Sequence, residues 1–276
     1  MEYNTNEIGI TIITIVLNGQ DQIAQTIESV ILQKTIPIEY IVIDGISSDN
    51  TLDVINRYKD HIDIILSEKD SGIYDAINKG ITLAKFPLIG IIHCGDFYSN
   101  GILLDVFEAY KKTNADVIYG DIEIVQIIDG ETISKYNLRA DHTRLQKKMS
   151  IFHPSTFIKK SCYVKNGYYK KKYKCVSDYD LILGLYLKKY NFFYLPKVLA
   201  TFRTGGLSSS NDKLLVFENF RLRWDRFGFT IAFLYLILNG TISLYFIFRR
   251  TIFIFIFGKK RYLSSKKMKK LHTVLN

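Results

Sequence analysis

The feature that most constrains this chain is an alternation of two hydrophobic periods. Ile10 to Leu17 is an unbroken run of Ile, Thr, Val and Leu, the pattern of a strand buried on both faces. Ile23, Ile27, Val30 and Ile31 follow at helical spacing. Tyr40 to Ile43 reads as a second buried strand ending at Asp44–Gly45, after which Ser47, Ser48 and Asp49 offer an N-cap to a helix over 51–58. A strand over 62–66, a helix over 73–84 and a strand over 88–92 come next, the last ending in His93–Cys94–Gly95–Asp96. A further helix and a strand over 116–119 continue the alternation. Strands and helices in turn require crossover connections, so the spacing predicts an α/β fold with a mostly parallel sheet sandwiched by helices.

In such sheets ligands bind beyond the carboxyl ends of the strands, which singles out Asn18, Asp44, Asp70 and Asp96. The first strand leads into Asn18–Gly19–Gln20 rather than a GxGxxG turn, and the sequence holds no GxxxxGK[ST], GxSxG or HExxH. Dinucleotide-binding Rossmann domains, P-loop NTPases and the common hydrolases are thereby excluded. Carboxylates standing where phosphates would lie repel them, which implies a divalent cation between the two.

The net charge of +10 belongs to one end of the chain. From Arg221 onward there are twelve Lys/Arg and one acid, Asp225, leaving 25 bases against 26 acids before it. This distribution argues against a nucleic-acid partner. Phe227 to Phe248 is a run of 22 residues without a charge. As a helix it would span about 33 Å, against roughly 30 Å of bilayer hydrocarbon. Arg249–Arg250, Lys259–Lys260–Arg261 and Lys266 to Lys270 follow it. An apolar helix with juxtamembrane bases predicts attachment to an anionic cytoplasmic leaflet, the alternative being a helical hairpin packed on the body or in an oligomer. Met1 to Glu7 lacks the layout of a secretory signal, and three cysteines without CxxC spacing suit a reducing compartment. The expected location is the cytoplasmic face of the plasma membrane, peripheral or tail-anchored.

The motifs taken together resemble family 2 glycosyltransferases with a GT-A fold, of the type that builds capsule, colanic-acid or lipopolysaccharide sugars. They run in order: Ile12 to Asn18; Thr26-Ile27-Glu28-Ser29-Val30 with Gln33; Val42-Ile43-Asp44-Gly45 with Ser48-Asp49-Asn50-Thr51; the eleven residues Asp70 to Gly80 (DSGIYDAINKG); Gly95-Asp96; His153-Pro154-Ser155-Thr156-Phe157; Ser177-Asp178-Tyr179-Asp180-Leu181; and Gly205-Gly206-Leu207-Ser208. The eleven-residue stretch is the most specific. The resemblance runs from about Ile10 to Ser209 and implies a GT-A domain over 1–220, while the charge and apolar pattern marks 221–276 as a basic, apolar, membrane-associating tail.

By the same resemblance Val16 and Leu17 lie against the base of a nucleotide-sugar. Asp44 accepts a hydrogen bond from the base, favouring a UDP-sugar, unless it is a turn residue capping Ser47–Ser48. Asp75 and Lys79 match positions near the ribose and phosphates, or else form an i,i+4 ion pair. Asp96 matches the second acid of the metal-binding Asp-Asp pair, with Gly95 in place of the first, and so is the expected ligand of Mg²⁺ or Mn²⁺. His93 either adds a ligand or shapes the strand end. Asp178 matches the catalytic carboxylate, Ser177 replacing the usual Glu; a helix N-cap is the alternative, and a helix N-terminus there would keep the acid ionised. Asp180 is a backup base or a loop brace, His153 aligns near the acceptor, and Arg203 with Gly205–Gly206 reads as a loop able to close on the diphosphate. Phe220 stands three residues before Arg223–Trp224, where processive synthases carry Gln, so a processive polymerase is excluded. The reading that follows is an inverting transferase, with a nucleotide-sugar donor and an acceptor hydroxyl on a lipid-linked saccharide.

Overall fold

The β-branched runs form the centre of the sheet in the computed structural model, which describes residues 8–128, 131–203 and 212–238. In chain order the elements are β1 (Ile10–Val16), α1 (Ile23–Ile31), β2 (Ile38–Asp44), α2 (Thr51–Asn56), β3 (Ile64–Ser67), α3 (Ile73–Leu83), β4 (Leu88–His93), β5 (Phe97–Tyr98) and α4 (Ile102–Thr113). They continue with β6 (Val117–Ile128), β7 (Glu131–Leu138), β8 (Thr156–Lys159), α5 (Lys160–Asn166), α6 (Ser177–Leu187), β9 (Phe192–Arg203) and α7 (Asp212–Phe227).

One sheet has the order β3-β2-β1-β4-β8-β6-β9-β5, with β7 paired to β6. The first four strands are parallel, as their helical crossovers require. Beyond β4 the sheet is mixed: β8 runs antiparallel to both β4 and β6, β5 antiparallel to β9, and β6 parallel to β9. The parallel character inferred from sequence thus holds for the N-terminal half. Past Asp96 the helices α4, α5 and α6 join strands that are not neighbours in the sheet, and a β6–β7 hairpin extends the strand expected over 116–119 out to residue 128.

Every residue of β1 and β2 is buried, which is why these strands read as continuous apolar runs rather than alternating ones. Ile23, Ile27 and Val30 of α1 join Ile12, Val42, Leu88, Ile92 and Phe157 in a single core. At α2 the cap differs from expectation. Asn50 holds the N-cap position without a side-chain bond, and the Asp49 carboxylate accepts the Thr51 amide (3.0 Å) and hydroxyl instead.

The chain divides into two compact units, 1–211 and 212–276, so the boundary read at residue 220 falls inside α7. In the second unit α7 ends at Phe227. Gly228 (φ 85°) breaks the chain direction, and 229–238 is helical. Phe220, Trp224, Phe229 and Phe233 form a run of ring contacts there, and the Arg223 guanidinium lies 3.4 Å from the Tyr235 ring centre. Among the described residues no helix is long and apolar enough to cross a membrane. The second half of the apolar run and the basic end, 239–276, lie outside the described residues, as do Gly205 to Ser208.

Candidate functional site

The carboxyl edge of β1 to β4 is laced together by short polar side chains. Asn18 (φ 52°) donates its amide to Ser47 Oγ (2.8 Å), and its side-chain oxygen accepts the Ser48 amide (2.8 Å). Gly19 N–H meets Thr51 Oγ1 at 2.8 Å. Val16 is buried under this edge, whereas Leu17 is 60% exposed and stands beside Gly45. Asp44 is fully buried and accepts from the Ser47 amide (3.1 Å), the Ser47 hydroxyl (2.5 Å) and the Ser67 hydroxyl (2.7 Å). Its carboxylate is therefore engaged in bracing the turn and, fully buried, offers no exposed oxygen to a base N–H. Asp70 lies next to Leu17 and Gly45. Its Oδ1 accepts the Gly72 amide (2.9 Å) and its Oδ2 faces Gly45. The sequence had marked Asp70 only as a strand-end acid.

The eleven-residue motif is a loop-to-helix turn that locks itself. Asp75 accepts from the Ser71 amide (2.9 Å) and hydroxyl (2.8 Å) at the start of α3. Its other oxygen pairs with Lys171, whose ammonium together with the Ser71 amide holds the carboxyl down to about 2. Lys79 pairs with Glu68 (2.8 Å) and donates to the Lys69 carbonyl (2.7 Å). The i,i+4 pair between Asp75 and Lys79 does not form, because each finds a partner on another segment. Gly80 is required by contact: a Cβ there would lie 2.5 Å from Ile13 Cγ2, so α3 packs directly on β1. Asn78 clasps the backbone of Tyr169 through both amide atoms (2.8 and 3.0 Å), 91 residues away in the chain.

Asp96 follows β4 and is 4% exposed. Its Oδ1 accepts the Arg203 amide (3.1 Å), and its carbonyl accepts the Thr26 hydroxyl (2.8 Å). Burial raises its carboxyl to about 7, against the lowering effect of Arg203. Gly95 adopts φ 98°, which L side chains rarely take, and a Cβ would collide with Gln22 Oε1. This backbone explains why glycine precedes Asp96. Arg203 is the last residue of β9; its guanidinium donates to Gln25 Oε1 (2.5 Å) and lies 5.4 Å from the Phe97 ring centre.

Asp178 is the second residue of α6, inside the first turn rather than at the cap. It is half-buried, and its Oδ1 accepts from the Tyr179 amide (2.8 Å) and the Tyr74 hydroxyl (3.2 Å). Burial raises the carboxyl to about 6, outweighing those two donors, so the helix end moderates the shift without reversing it. Tyr74, buried and beside Asp178, is pushed well above the ordinary phenol range and stays a donor. Ser177, in the Glu position of the family motif, is buried and accepts the Lys170 amide. Asp180 is 2% exposed and pairs with Lys170 (2.8 Å), which makes it a loop brace.

The two acids are joined by one run of contacts. His93, at the end of β4, meets His153 with ring centres 4.9 Å apart; His153 meets Tyr169 at 6.0 Å; Tyr169 stacks on Tyr74 at 5.6 Å; and Tyr74 bonds Asp178. Burial lowers His93 to about 4 and, with His93 beside it, holds His153 well below the ordinary imidazole value, so both rings are neutral. His93 Nε2 and His153 Nδ1 are buried without a hydrogen-bond partner. The tyrosines were not assigned a role from sequence, although Tyr74 sits inside the most specific motif.

The site fits a divalent cation in one manner only. Among the described residues no group of three or more His, Cys, Asp or Glu could hold a metal. Asp96 is a desolvated carboxylate with a single hydrogen bond to its side chain, so a cation there would take its remaining ligands from diphosphate oxygens and water, as Mg²⁺ tolerates.

The profile of Glycosyl transferase family 2 matches residues 11–169, more than half of the chain, and the chain belongs to that family. Over 207 residues it is 26% identical to a PGL/p-HBAD biosynthesis glycosyltransferase of Mycobacterium tuberculosis, covering 72% of this chain and 79% of the relative. Over 239 residues it is 27% identical to an uncharacterized glycosyltransferase of Rickettsia typhi, covering 82% and 74%. The fold is similar to Staphylococcus aureus TarS 1–349 in complex with UDP-GlcNAc, with TM-score 0.63, 15% identity and coverage of 91% of this chain and 76% of that one. It is also similar to the mannosyltransferase PcManGT of Pyrobaculum calidifontis in complex with GDP-Man and Mn²⁺ (TM-score 0.56, 14% identity, 80% and 62% covered). This chain spans 39% of the longer TarS chain. The fold is the GT-A fold, and the chain is a family 2 glycosyltransferase.

Proposed function

We propose that the chain is an inverting hexosyltransferase that moves one sugar from a UDP-sugar to an acceptor hydroxyl. Asp178 carries the reading: a half-buried carboxylate at the carboxyl edge of the sheet, oriented by Tyr74 and Tyr179 and ionised above a pH of about 6. Asp178 takes the acceptor proton as the acceptor oxygen bonds to the anomeric carbon from the face opposite the leaving group. The bond from that carbon to the diphosphate oxygen breaks, and its electron pair departs with the nucleoside diphosphate. Asp96 would hold Mg²⁺ or Mn²⁺, which when bound supplies charge neutralisation to the leaving diphosphate. Gly95 supplies the positive-φ turn that presents Asp96 to the phosphates, while Arg203, Lys79 and Asp75 serve the diphosphate and ribose side. Val16 and Leu17 support the base, with Asp70 as the carboxylate open to a base or ribose donor and Asp44 bracing the turn beneath. The nucleotide-sugars bound by TarS and PcManGT, and the Mn²⁺ of the latter, support this assignment.

The acceptor in this reading is a lipid-linked saccharide in surface-polysaccharide assembly at the cytoplasmic face of the plasma membrane. The basic, apolar segment 221–276 is the membrane-associating part and 1–220 the catalytic one. The support is the twelve bases beyond residue 220 and the exposed Trp224, Phe229 and Phe233. The deciding assay is donor hydrolysis and transfer with Mn²⁺ for wild type, Asp96→Ala and Asp178→Asn. Loss of transfer in both variants is expected. Equal activity in all three would remove these assignments, and nucleotide binding without turnover in wild type would make the chain a non-catalytic scaffold.

A further inference from the structure

The second motif, Thr26-Ile27-Glu28-Ser29-Val30 with Gln33, has no part in the chemistry described so far. Its polar members Thr26, Ser29 and Gln33 stand at i, i+3 and i+7, which is one face at 3.6 residues per turn. Thr26 is fully buried, as are Ile23, Ile27 and Val30, and Gln33 is buried beyond the end of α1. A helical threonine ordinarily returns its hydroxyl to the carbonyl four residues earlier. Thr26 sends it to another segment. Its Oγ1 accepts the Gly95 amide (3.0 Å) and donates to the Asp96 carbonyl (2.8 Å), 69 and 70 residues away. Ser29 Oγ accepts the Tyr98 amide (3.2 Å) and donates to the Thr26 carbonyl (2.7 Å). Gln33 donates to the Ser29 carbonyl (2.7 Å) and accepts the Leu103 amide (3.1 Å), one of the amides left open at the start of α4. The three side chains thus form a ladder along 95–103. Among the described residues, no side chain other than Thr26 bonds the main chain of Gly95 or Asp96.

We infer that Thr26 is a positioning residue for the cation: its hydroxyl fixes the main chain of Gly95 and Asp96 so that the Asp96 carboxylate is presented to the metal. The inference rests on the reading of Asp96 as the metal ligand. Gly95, at φ 98°, is the residue with the most main-chain freedom, and the Thr26 hydroxyl removes that freedom at the turn. In this reading the cation has one protein carboxylate, so no second side chain corrects for a shift of the turn. Mg²⁺ tolerates little departure from octahedral geometry, which makes the aim of that carboxylate decisive.

The test is binding of Mn²⁺ to the full chain saturated with UDP, read by loss of the free-ion signal in electron paramagnetic resonance. Thr26→Val keeps the shape of the side chain and removes the hydroxyl. Its Mn²⁺ affinity should fall about tenfold or more, as it does when partners behind metal ligands are lost. Thr26→Ser keeps the hydroxyl and should bind Mn²⁺ like wild type. Calorimetric UDP affinity in EDTA should be the same in all three, which separates a shifted ligand from a damaged fold. Thr11→Val is the matched control. Thr11 is equally buried, and its hydroxyl donates to Glu39 (2.6 Å) and accepts the Phe86 amide (3.1 Å) near the start of β1. That variant should lose thermal stability and keep its Mn²⁺ affinity. Wild-type Mn²⁺ affinity in Thr26→Val overturns the inference. So does an equal loss in Thr26→Ser, in Thr11→Val or in metal-free UDP binding, since Thr26 would then serve only the fold. If the valine variant does not fold, Thr26→Ala removes the same hydroxyl with less bulk and is judged by the same outcomes. Asp96→Ala separates the two readings. Wild-type Mn²⁺ affinity there removes the Asp96 assignment itself, whereas a loss there with none in Thr26→Val removes only the role of Thr26.

Discussion

The Tyr74 hydroxyl is the group that tunes Asp178 directly. It donates to the ionised form and so lowers the carboxyl against the larger effect of burial. In Tyr74→Phe the acid limb of the kcat/KM profile should move upward from about 6 by roughly one pH unit, with the plateau above pH 8 little changed. A pH-rate profile checks this, and an unshifted limb would mean that Tyr74 only packs. Ile46 shows strain of another kind. It is a β-branched residue at φ 62°, exposed at the end of β2, a conformation that costs such side chains about 1–2 kcal/mol. Ile46→Gly should raise stability by about 1 kcal/mol, read by urea denaturation.

At the scale of elements, the site depends on α3 and α6 being registered against each other. Asn78 holds the Tyr169 backbone, Tyr169 stacks on Tyr74, and Tyr74 reaches both Asp178 and the Ser177 amide (3.2 Å). Asn78→Ala leaves a donor and an acceptor of the loop unpaired and should cost about 1–3 kcal/mol. Because the clasp positions the base and not the donor, kcat should fall several-fold with donor KM nearly constant. A matched rise in KM would instead show that α3 acts through nucleotide binding. Much of this was visible in the sequence as a motif without its reasons. The DSGIYDAINKG spacing was recognisable, yet Asp75 and Asn78 find their partners more than 90 positions away, and even Lys79 pairs outside the motif, so these choices leave no trace in local pattern. Asp75 with Lys171, Lys79 with Glu68 and Asn78 with Tyr169 are all tertiary choices.

For the whole molecule, buried Asp96 and half-buried Asp178 set the pH dependence of stability. Asp96 and Asp178 have folded-state values raised by burial to about 7 and about 6. Their neutral forms are therefore compatible with the fold at low pH, and their contribution is lost as pH rises from near 4 through 6 and 7. The ligand-free protein should be destabilised by this effect on the order of 2–4 kcal/mol at pH 8 relative to pH 5. Asp96→Asn should recover much of that difference in urea titrations. Mn²⁺ with UDP should raise Tm more in wild type at pH 8 than in Asp96→Asn, since binding to the native state supplies the missing counter-charge. The second unit is tested by truncation after Asn211. Loss of adsorption to anionic vesicles is expected, together with salt sensitivity of adsorption in the full chain.

The primary sequence alone determined the parallel half of the sheet, the strand ends that carry polar residues and the family, because continuous burial and helical crossovers write a period into neighbouring residues. It also located the net positive charge in the last quarter of the chain. Only the tertiary structure decided that Asp44 braces its own turn, that Asp180 braces a loop while Asp178 stays half-buried, and that Tyr74 and Tyr169 come to stand beside it. Those outcomes depend on which distant groups desolvate and pair with one another, and burial and pairing are properties of a packed neighbourhood that no run of adjacent residues encodes.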